Sequence, residues 1–121
     1  MAKKILIVDD SPFIVRSLAF ILKKHGYEVV AATDGEEALA KIREERPDLV
    51  FLDVMMPGKD GYEVCQEVRS NPEMGKPYII MLTARGQEAD RERGLRLGAD
   101  EFMTKPFSPS QVIERVKAVL G

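Results

Sequence analysis

The chain has 121 residues, of which 45% are hydrophobic, and this amount of apolar surface fills one core but not two. Twenty acidic residues against eighteen basic ones give a net charge of −2, so the overall field attracts neither nucleic acid nor anionic lipid. The composition therefore predicts a single domain over residues 1–121 that does not bind nucleic acid directly. No second compositional regime indicates an output domain.

The apolar stretch near the start, ILIV, has four residues and is too short for a signal peptide or a membrane span. Cys65 is the single cysteine, so it cannot form an internal disulfide, and it falls within the apolar pattern of a predicted helix. We therefore expect a buried thiol in a cytoplasmic protein without membrane association.

Five short segments have the composition of β-strands. Continuous Ile, Val and Leu runs are typical of strands that are covered on both faces of a parallel sheet. The segment at 27–32 is a weaker match, and the segment at 100–104 is less apolar, as an edge strand can be. The predicted strands are residues 5–8, 27–32, 49–52, 78–82 and 100–104.

A segment with helical periodicity follows each predicted strand, and most of these segments have recognisable ends. Serine or aspartate precedes the first turn, and glycine or proline marks the end. The N-cap candidates are Ser11 before Pro12, either Thr33 or Asp34, Asp60 with Glu63 in a capping box, and Ser108 before Pro109; the stops are Gly26, Pro47 and Gly98. Five strand-helix units with right-handed crossovers predict an α/β fold with a five-stranded, parallel, doubly wound sheet.

Polar side chains follow the predicted strands where each strand ends. Asp9 and Asp10 follow the first strand, Asp53 the third, Thr83 the fourth and Lys105 the fifth. Ligands of open α/β sheets bind outside the carboxyl ends of the strands, so we expect these groups to converge. Three carboxylates at one edge repel one another and raise each other's pKa unless a cation offsets them. Mg²⁺ is the preferred candidate, because it binds oxygen ligands and keeps waters that a phosphoryl oxygen can replace.

Four motifs in this order resemble the receiver domain of two-component response regulators, the fold of the chemotaxis protein CheY. They are VDDS, LDVMMPGKDG, LTARG and TKPFSP, and the resemblance covers essentially the whole chain. It implies the flavodoxin-like (βα)5 fold with strand order 2-1-3-4-5. The C-terminal third is closest to receivers of the OmpR/PhoB class.

The resemblance implies a phosphoacceptor and a metal site. Asp53 matches the aspartate that accepts a phosphoryl group from a sensor histidine kinase, a phosphotransfer protein or a small phosphodonor. Asp10, Asp53 and the backbone carbonyl of Met55 match the Mg²⁺ ligands, and Asp9 matches the acid that acts largely through a metal-bound water. Such a protein catalyses its own phosphorylation and dephosphorylation and does not turn over an external substrate.

The resemblance also implies groups that hold the phosphoryl group and transmit the signal. Thr83, Ala84 and Lys105 match the phosphoryl-binding positions, and Pro106 matches a residue that usually follows a cis peptide. Thr83 and Phe102 match the switch pair. Phe102 has no hydroxyl and cannot form an outward hydrogen bond, and a permanently buried Phe102 is an open alternative to a switching one.

Met55 and Arg85 lie two places after Asp53 and Thr83, where receiver side chains line the path of the hydrolytic water. Neither side chain is a general base or offers a carbonyl to orient that water. We therefore expect slow self-dephosphorylation.

The predicted output surface is the face made by the fourth helix, the fifth strand and the fifth helix. It is expected to contact a downstream protein, and OmpR/PhoB-class receivers dimerise through it. Gln111 replaces an acid that is frequent there, and phosphorylation-dependent homodimerisation stays open against a merely solvated surface. The interface candidates are Arg91, Asp100, Glu101, Arg115 and Lys117.

The pattern differs from that of two other protein classes and leaves a third one open. An FMN-binding flavodoxin needs a phosphate loop where this chain has the acidic DDSPF, and a haloacid dehalogenase-type phosphatase has its nucleophile on the first strand. The remaining alternative is a phosphorylation-independent pseudo-receiver that acts as a protein-binding module.

Overall fold

The fold was analysed in a computed structural model that describes residues 2–56, 58–84 and 89–121, and only the backbone of residues 89–91. The strands are β1 (Lys4–Val8), β2 (Glu28–Ala32), β3 (Leu49–Asp53), β4 (Tyr78–Ala84) and β5 (Glu101–Lys105). The helices are α1 (Pro12–Lys24), α2 (Gly35–Glu45), α3 (Gly61–Ser70), α4 (Ala89–Arg96) and α5 (Pro109–Leu120). A short 3₁₀ turn at Pro72–Met74 was not predicted from the sequence.

The strands form one parallel sheet in the order β2-β1-β3-β4-β5. This confirms the predicted fold class and strand order. The strand ends differ from the predicted ones by one or two residues, and β3 and β4 continue to Asp53 and Ala84 because their neighbours still offer ladder partners there.

The sheet separates two apolar clusters, and its central strand contributes to both. Val50 and Leu52 of β3 belong to the cluster beneath α2 and α3, whereas Leu49 and Phe51 belong to the cluster beneath α1 and α5. Successive strand residues point to opposite faces, so an uninterrupted apolar run is buried only when both faces are covered. Cys65 is buried in the first cluster, as predicted.

Side-chain caps begin four of the helices at the expected residues. Ser11 accepts the Ile14 N–H, Asp60 accepts the Glu63 N–H, and Ser108 accepts the Gln111 N–H. At α2 the cap is Asp34, whose carboxylate accepts the Glu37 N–H at 2.8 Å. Each cap sets the residue at which the helix begins after the preceding strand. The caps therefore also set the length of the loops at the carboxyl edge of the sheet.

None of the helices in these described ranges is both long enough and apolar enough to span a bilayer.

Candidate functional site

The sheet register places the predicted polar residues at one edge. Asp53 lies opposite Leu82 at the end of β3, and Thr83 lies opposite Thr104 where β4 and β5 end. Asp9 directly follows β1, and its amide donates to Ala32 O beyond the last ladder pair. Lys105, the last residue of β5, reaches back across this edge.

Lys105 is the internal counter-ion of the pocket. Its ammonium donates to Asp9 Oδ2 at 2.9 Å and lies 3.5 Å from Asp53 Oδ1. Asp9 is fully buried, and its second oxygen accepts the Ser11 N–H at 3.0 Å. Both oxygens of Asp9 therefore have partners, whereas Asp10 is exposed at the rim.

The surroundings of Asp53 disfavour the ionised form of its carboxyl group. Only 6% of the residue is exposed, and burial, followed by the charge of Asp9, raises its pKa from 3.8 to about 6. The charge of Lys105 and the Met55 N–H, which donates to Asp53 Oδ1 at 3.2 Å, oppose this rise. The raised pKa predicted from carboxylate repulsion is thus confirmed for Asp53, although burial is the larger cause.

The three carboxylates can act together as ligands of one ion. Asp9, Asp10 and Asp53 each offer an oxygen, and these oxygens lie within 4.8 Å of one another. All are hard oxygen donors, and the unfavourable charge on Asp53 would be relieved by a cation. The donor set therefore fits Mg²⁺.

Thr83 lies beside this cluster. It is 7% exposed, and its hydroxyl donates to the carbonyl of Ala84 at 3.0 Å. Within the described ranges this hydroxyl binds only the adjacent carbonyl, so it can rotate towards another acceptor. Ala84 is exposed at the end of β4, and Lys105 precedes Pro106 across the expected cis bond.

The comparison with known proteins identifies the family. A family model described as the response regulator receiver domain matches residues 5–117. The chain belongs to this family. Receiver domains use Mg²⁺ at an acidic pocket and interact with histidine kinases or phosphotransfer proteins.

The individual relatives agree with this identification. Over 120 residues the chain is 54% identical to the alkaline phosphatase synthesis transcriptional regulatory protein PhoP of Bacillus subtilis (strain 168), covering 99% of this chain and 49% of that protein. The chain thus spans about half the length of this curated relative. The chemotaxis response regulator CheY4 of Vibrio cholerae is 36% identical with a TM-score of 0.92, and covers 99% of this chain and 100% of its own. A CheY-like receiver domain protein from Methanospirillum hungatei JF-1 is 34% identical with a TM-score of 0.88, covering 98% of this chain and 93% of its own.

Phe102, the expected switch aromatic, packs against α4. Phe102 is partly buried beside the cluster that contains Tyr62. A Cβ on Gly94 would overlap the Phe102 ring, so the absence of a side chain at this position makes room for it. The Arg93 guanidinium lies 4.4 Å from the centre of the Tyr62 ring and covers it from α4. These contacts hold the ring against α4 in this structure, and both the switching role of Phe102 and its permanent burial stay predictions.

Three of the expected interface charges have partners within the described part of the chain. Arg115 forms a bidentate pair with Glu101 at 2.7 and 2.9 Å, and the Tyr78 hydroxyl also donates to Glu101. The Asp100 carboxylate accepts Arg69 of α3 and the backbone N–H of Ile79.

Asp100 therefore ties α3 to the start of β4, and it is less available to a partner than its place in the sequence suggested. Lys117 is exposed on α5. Arg85, Pro57 and the side chain of Arg91 lie outside the described residues.

Three contacting residues were missed from the sequence. Tyr78 reads as the start of a buried strand, Arg69 as an exposed helix position, and Lys59 as a loop residue in PGKDG. Each contacts an element that is distant in the chain: Tyr78 reaches Glu101, Arg69 reaches Asp100, and Lys59 reaches α2 and α3. The presence of an ionisable residue at a loop or strand start is a weak signal that does not identify its partner.

Proposed function

We propose that this receiver domain accepts a phosphoryl group on Asp53 in a Mg²⁺-dependent reaction and then signals by protein contact. The observation that carries the proposal is the buried Asp53 carboxylate, which lies 3.5 Å from the Lys105 ammonium and within reach of two further carboxylates. The donor would be a phosphohistidine of a sensor kinase or phosphotransfer protein, or a small acyl phosphate.

The chemistry assigned to the side chains follows from their positions. An oxygen of ionised Asp53 attacks phosphorus, the bond from phosphorus to the donor nitrogen or oxygen breaks, and an acyl phosphate forms. With a pKa of about 6, Asp53 is mostly ionised at pH 7, as a nucleophile must be. Mg²⁺, when bound, would neutralise negative charge on the transferred group.

Lys105 and Thr83 would stabilise the product. The Lys105 ammonium can exchange its contact with Asp53 for a phosphoryl oxygen, and the Thr83 hydroxyl can turn from the Ala84 carbonyl to another. Each exchange replaces a weak internal contact by a charge-assisted hydrogen bond.

The helix that follows Asp10 offers a surface for the phosphodonor. Phe13 and Phe20 of α1 are 73% and 70% exposed, although large apolar side chains are usually covered. Arg16, Lys23 and Lys24 line the same groove between α1 and α5. A donor helix with apolar residues and flanking acids would fit here, and the Phe13 end of the groove lies beside the loop that carries Asp9 and Asp10.

The signal would be passed to a downstream protein that contacts the face of α4, β5 and α5. The proposed switch residues Thr83 and Phe102 adjoin this face. Pairing with a second copy through this face stays a prediction, as does the cytoplasmic location. In such a dimer, Glu101 and Arg115 would either stay paired within each protomer or form the same pair across the interface.

Intact mass spectrometry tests the phosphoacceptor. The protein is incubated with Mg²⁺ and acetyl phosphate, and we expect a gain of one phosphoryl group that Asp53→Asn abolishes. Asp48→Asn is the matched control, because Asp48 lies at the opposite edge and accepts the Lys4 N–H. A wild-type protein that gains no phosphoryl group from acetyl phosphate or from a panel of kinases would favour the pseudo-receiver.

A further inference from the structure

Lys59 lies in the loop between β3 and α3, and its side chain forms ion pairs with residues of two helices. Its ammonium lies 2.6 Å from Glu67 Oε1 of α3 and 3.3 Å from Glu36 Oε1 of α2. The Lys59 side chain is 26% exposed, so most of its stem is covered. Hydrogen bonds to both glutamates raise the pKa of Lys59, Glu67 contributing most.

The backbone around Lys59 is packed as closely as the side chain. A Cβ on Gly35, the first residue of α2, would lie 2.5 Å from both the Cβ and the carbonyl oxygen of Lys59. Gly61, two residues further along, approaches the Asp53 carbonyl so closely that a Cβ there would overlap it. Real side chains do not tolerate such distances, so glycine at positions 35 and 61 allows Lys59 to pack against the start of α2 and Gly61 to pack against the end of β3.

The anchored loop carries groups that contact Asp53. The Met55 N–H donates to Asp53 Oδ1 at 3.2 Å, and the Gly61 N–H donates to Val54 O at 3.0 Å. The position of the Met55 peptide thus depends on a loop that is fixed at Val54 by backbone hydrogen bonds and at Lys59 by side-chain contacts.

We propose that Lys59 is a positioning residue for the phosphoacceptor: its link to Glu67 and Glu36 fixes the loop so that the Met55 peptide holds the Asp53 carboxylate. This inference rests on the proposed function for its kinetic consequence, but not for its structural one. Exposed ion pairs stabilise proteins little, so the role of Lys59 lies in the geometry it imposes rather than in the strength of the pair. A reaction at phosphorus is sensitive to small displacements of the nucleophile.

The unequal contacts of the two glutamates predict an order of effects. Glu67 makes the shorter contact and is 39% exposed, whereas Glu36 is 77% exposed. Loss of the Glu67 carboxylate should therefore release the loop more than loss of the Glu36 carboxylate. Arginine at position 59 keeps the charge and can reach both partners.

The experiment compares Lys59→Met with Lys59→Arg, Glu67→Gln and Glu36→Gln. The first measurement is solvent exchange of the Met55 amide by NMR in metal-free protein, and the second is the rate of phosphorylation by acetyl phosphate. For Lys59→Met we expect exchange to rise at least about threefold and phosphorylation to slow about 3- to 10-fold. Lys59→Arg should stay close to wild type, and Glu67→Gln should exceed Glu36→Gln.

Lys76→Met is the matched control, because Lys76 is exposed before β4 at the opposite edge of the sheet. The proposal is overturned if Lys59→Met has the same Met55 amide exchange and the same phosphorylation rate as the wild-type protein. So would a uniform rise in exchange over all amides, since that would indicate general destabilisation. If the wild-type protein is not phosphorylated at all, the proposed function fails, while the Met55 exchange still decides whether Lys59 fixes the loop.

Discussion

Asp53→Asn should stabilise the metal-free protein, although it removes the residue on which the proposed function depends. Folding buries the Asp53 carboxylate beside Asp9, and the Lys105 ammonium offsets only part of the resulting penalty. Asparagine keeps the shape of the side chain and an oxygen that can accept the Met55 N–H, but it has no charge to bury. Removing this charge should therefore increase the free energy of unfolding.

The size of the effect follows from the pKa. A rise from 3.8 to about 6 corresponds to about 3 kcal/mol at 1.36 kcal/mol per pKa unit. The raised pKa means that Asp53 opposes folding only when it is ionised. The stability of the wild-type protein is free of this penalty below pH 3.8, where Asp53 is protonated in both the folded and the unfolded state. The penalty grows as the pH rises and is complete once the pH has passed about 6. The stability difference between variant and wild type should thus be near zero at pH 4 and reach its plateau above pH 7.

Urea unfolding followed by circular dichroism measures this difference. Both proteins are studied between pH 4 and 8 with a chelator. Glu45 and Glu101, whose pKa values are lowered by Lys4 and Arg115, lose their stabilising contribution in acid, but equally in both proteins. Asp34→Asn serves as the control, because asparagine also caps α2 and no buried charge is removed.

The reasoning is refuted if Asp53→Asn is less stable than wild type at pH 8, or if the difference does not change with pH. Added Mg²⁺ provides an independent check. It should stabilise the wild-type protein and narrow the gap, because a ligand that binds only the folded state shifts unfolding by mass action.

Three further results are expected. Met55→Asn should speed loss of the phosphoryl group, measured by intact mass over time, because asparagine offers a carbonyl that can orient water; an unchanged lifetime would contradict this. Lys105→Met should raise the pKa of Asp53 further, measured by NMR titration, and should slow phosphorylation, since the cation that lowers this pKa is lost. Gly94→Ala should displace the Phe102 ring and lower stability by about 1–3 kcal/mol, as overpacking does; unchanged ring shifts in the NMR spectrum would show that the seat is not tight.

Local sequence signals predicted most of the secondary structure. Apolar runs located the strands, and the caps Ser11, Asp60 and Ser108 located three helix starts. The choice between Thr33 and Asp34 could not be made from the sequence, because both residues can cap. In the structure the Thr33 amide and hydroxyl donate to Glu37 instead, and Asp34 takes the cap.

The pocket was predictable for a topological reason. In a parallel sheet the carboxyl ends of all strands lie at one edge, so residues that follow different strands meet without any need to know the helix packing. This brought Asp9, Asp53, Thr83 and Lys105 together. The contacts of Lys59 and Asp100 were not predictable, because they depend on how α2, α3 and β4 are placed relative to one another.

Lys105 places a positive charge in the pocket before a phosphoryl group binds. Two carboxylates that are almost fully buried would be costly without a cation, and the ammonium at 2.9 Å from Asp9 and 3.5 Å from Asp53 supplies one. The shorter contact fixes Lys105 to Asp9, and the longer one leaves the side nearer Asp53 weakly bound. An incoming phosphoryl group would therefore find its cation already held in place by Asp9. On the proposed function, the residue that makes the metal-free pocket tolerable is also the residue that makes it reactive, and Asp9 contributes by orienting it.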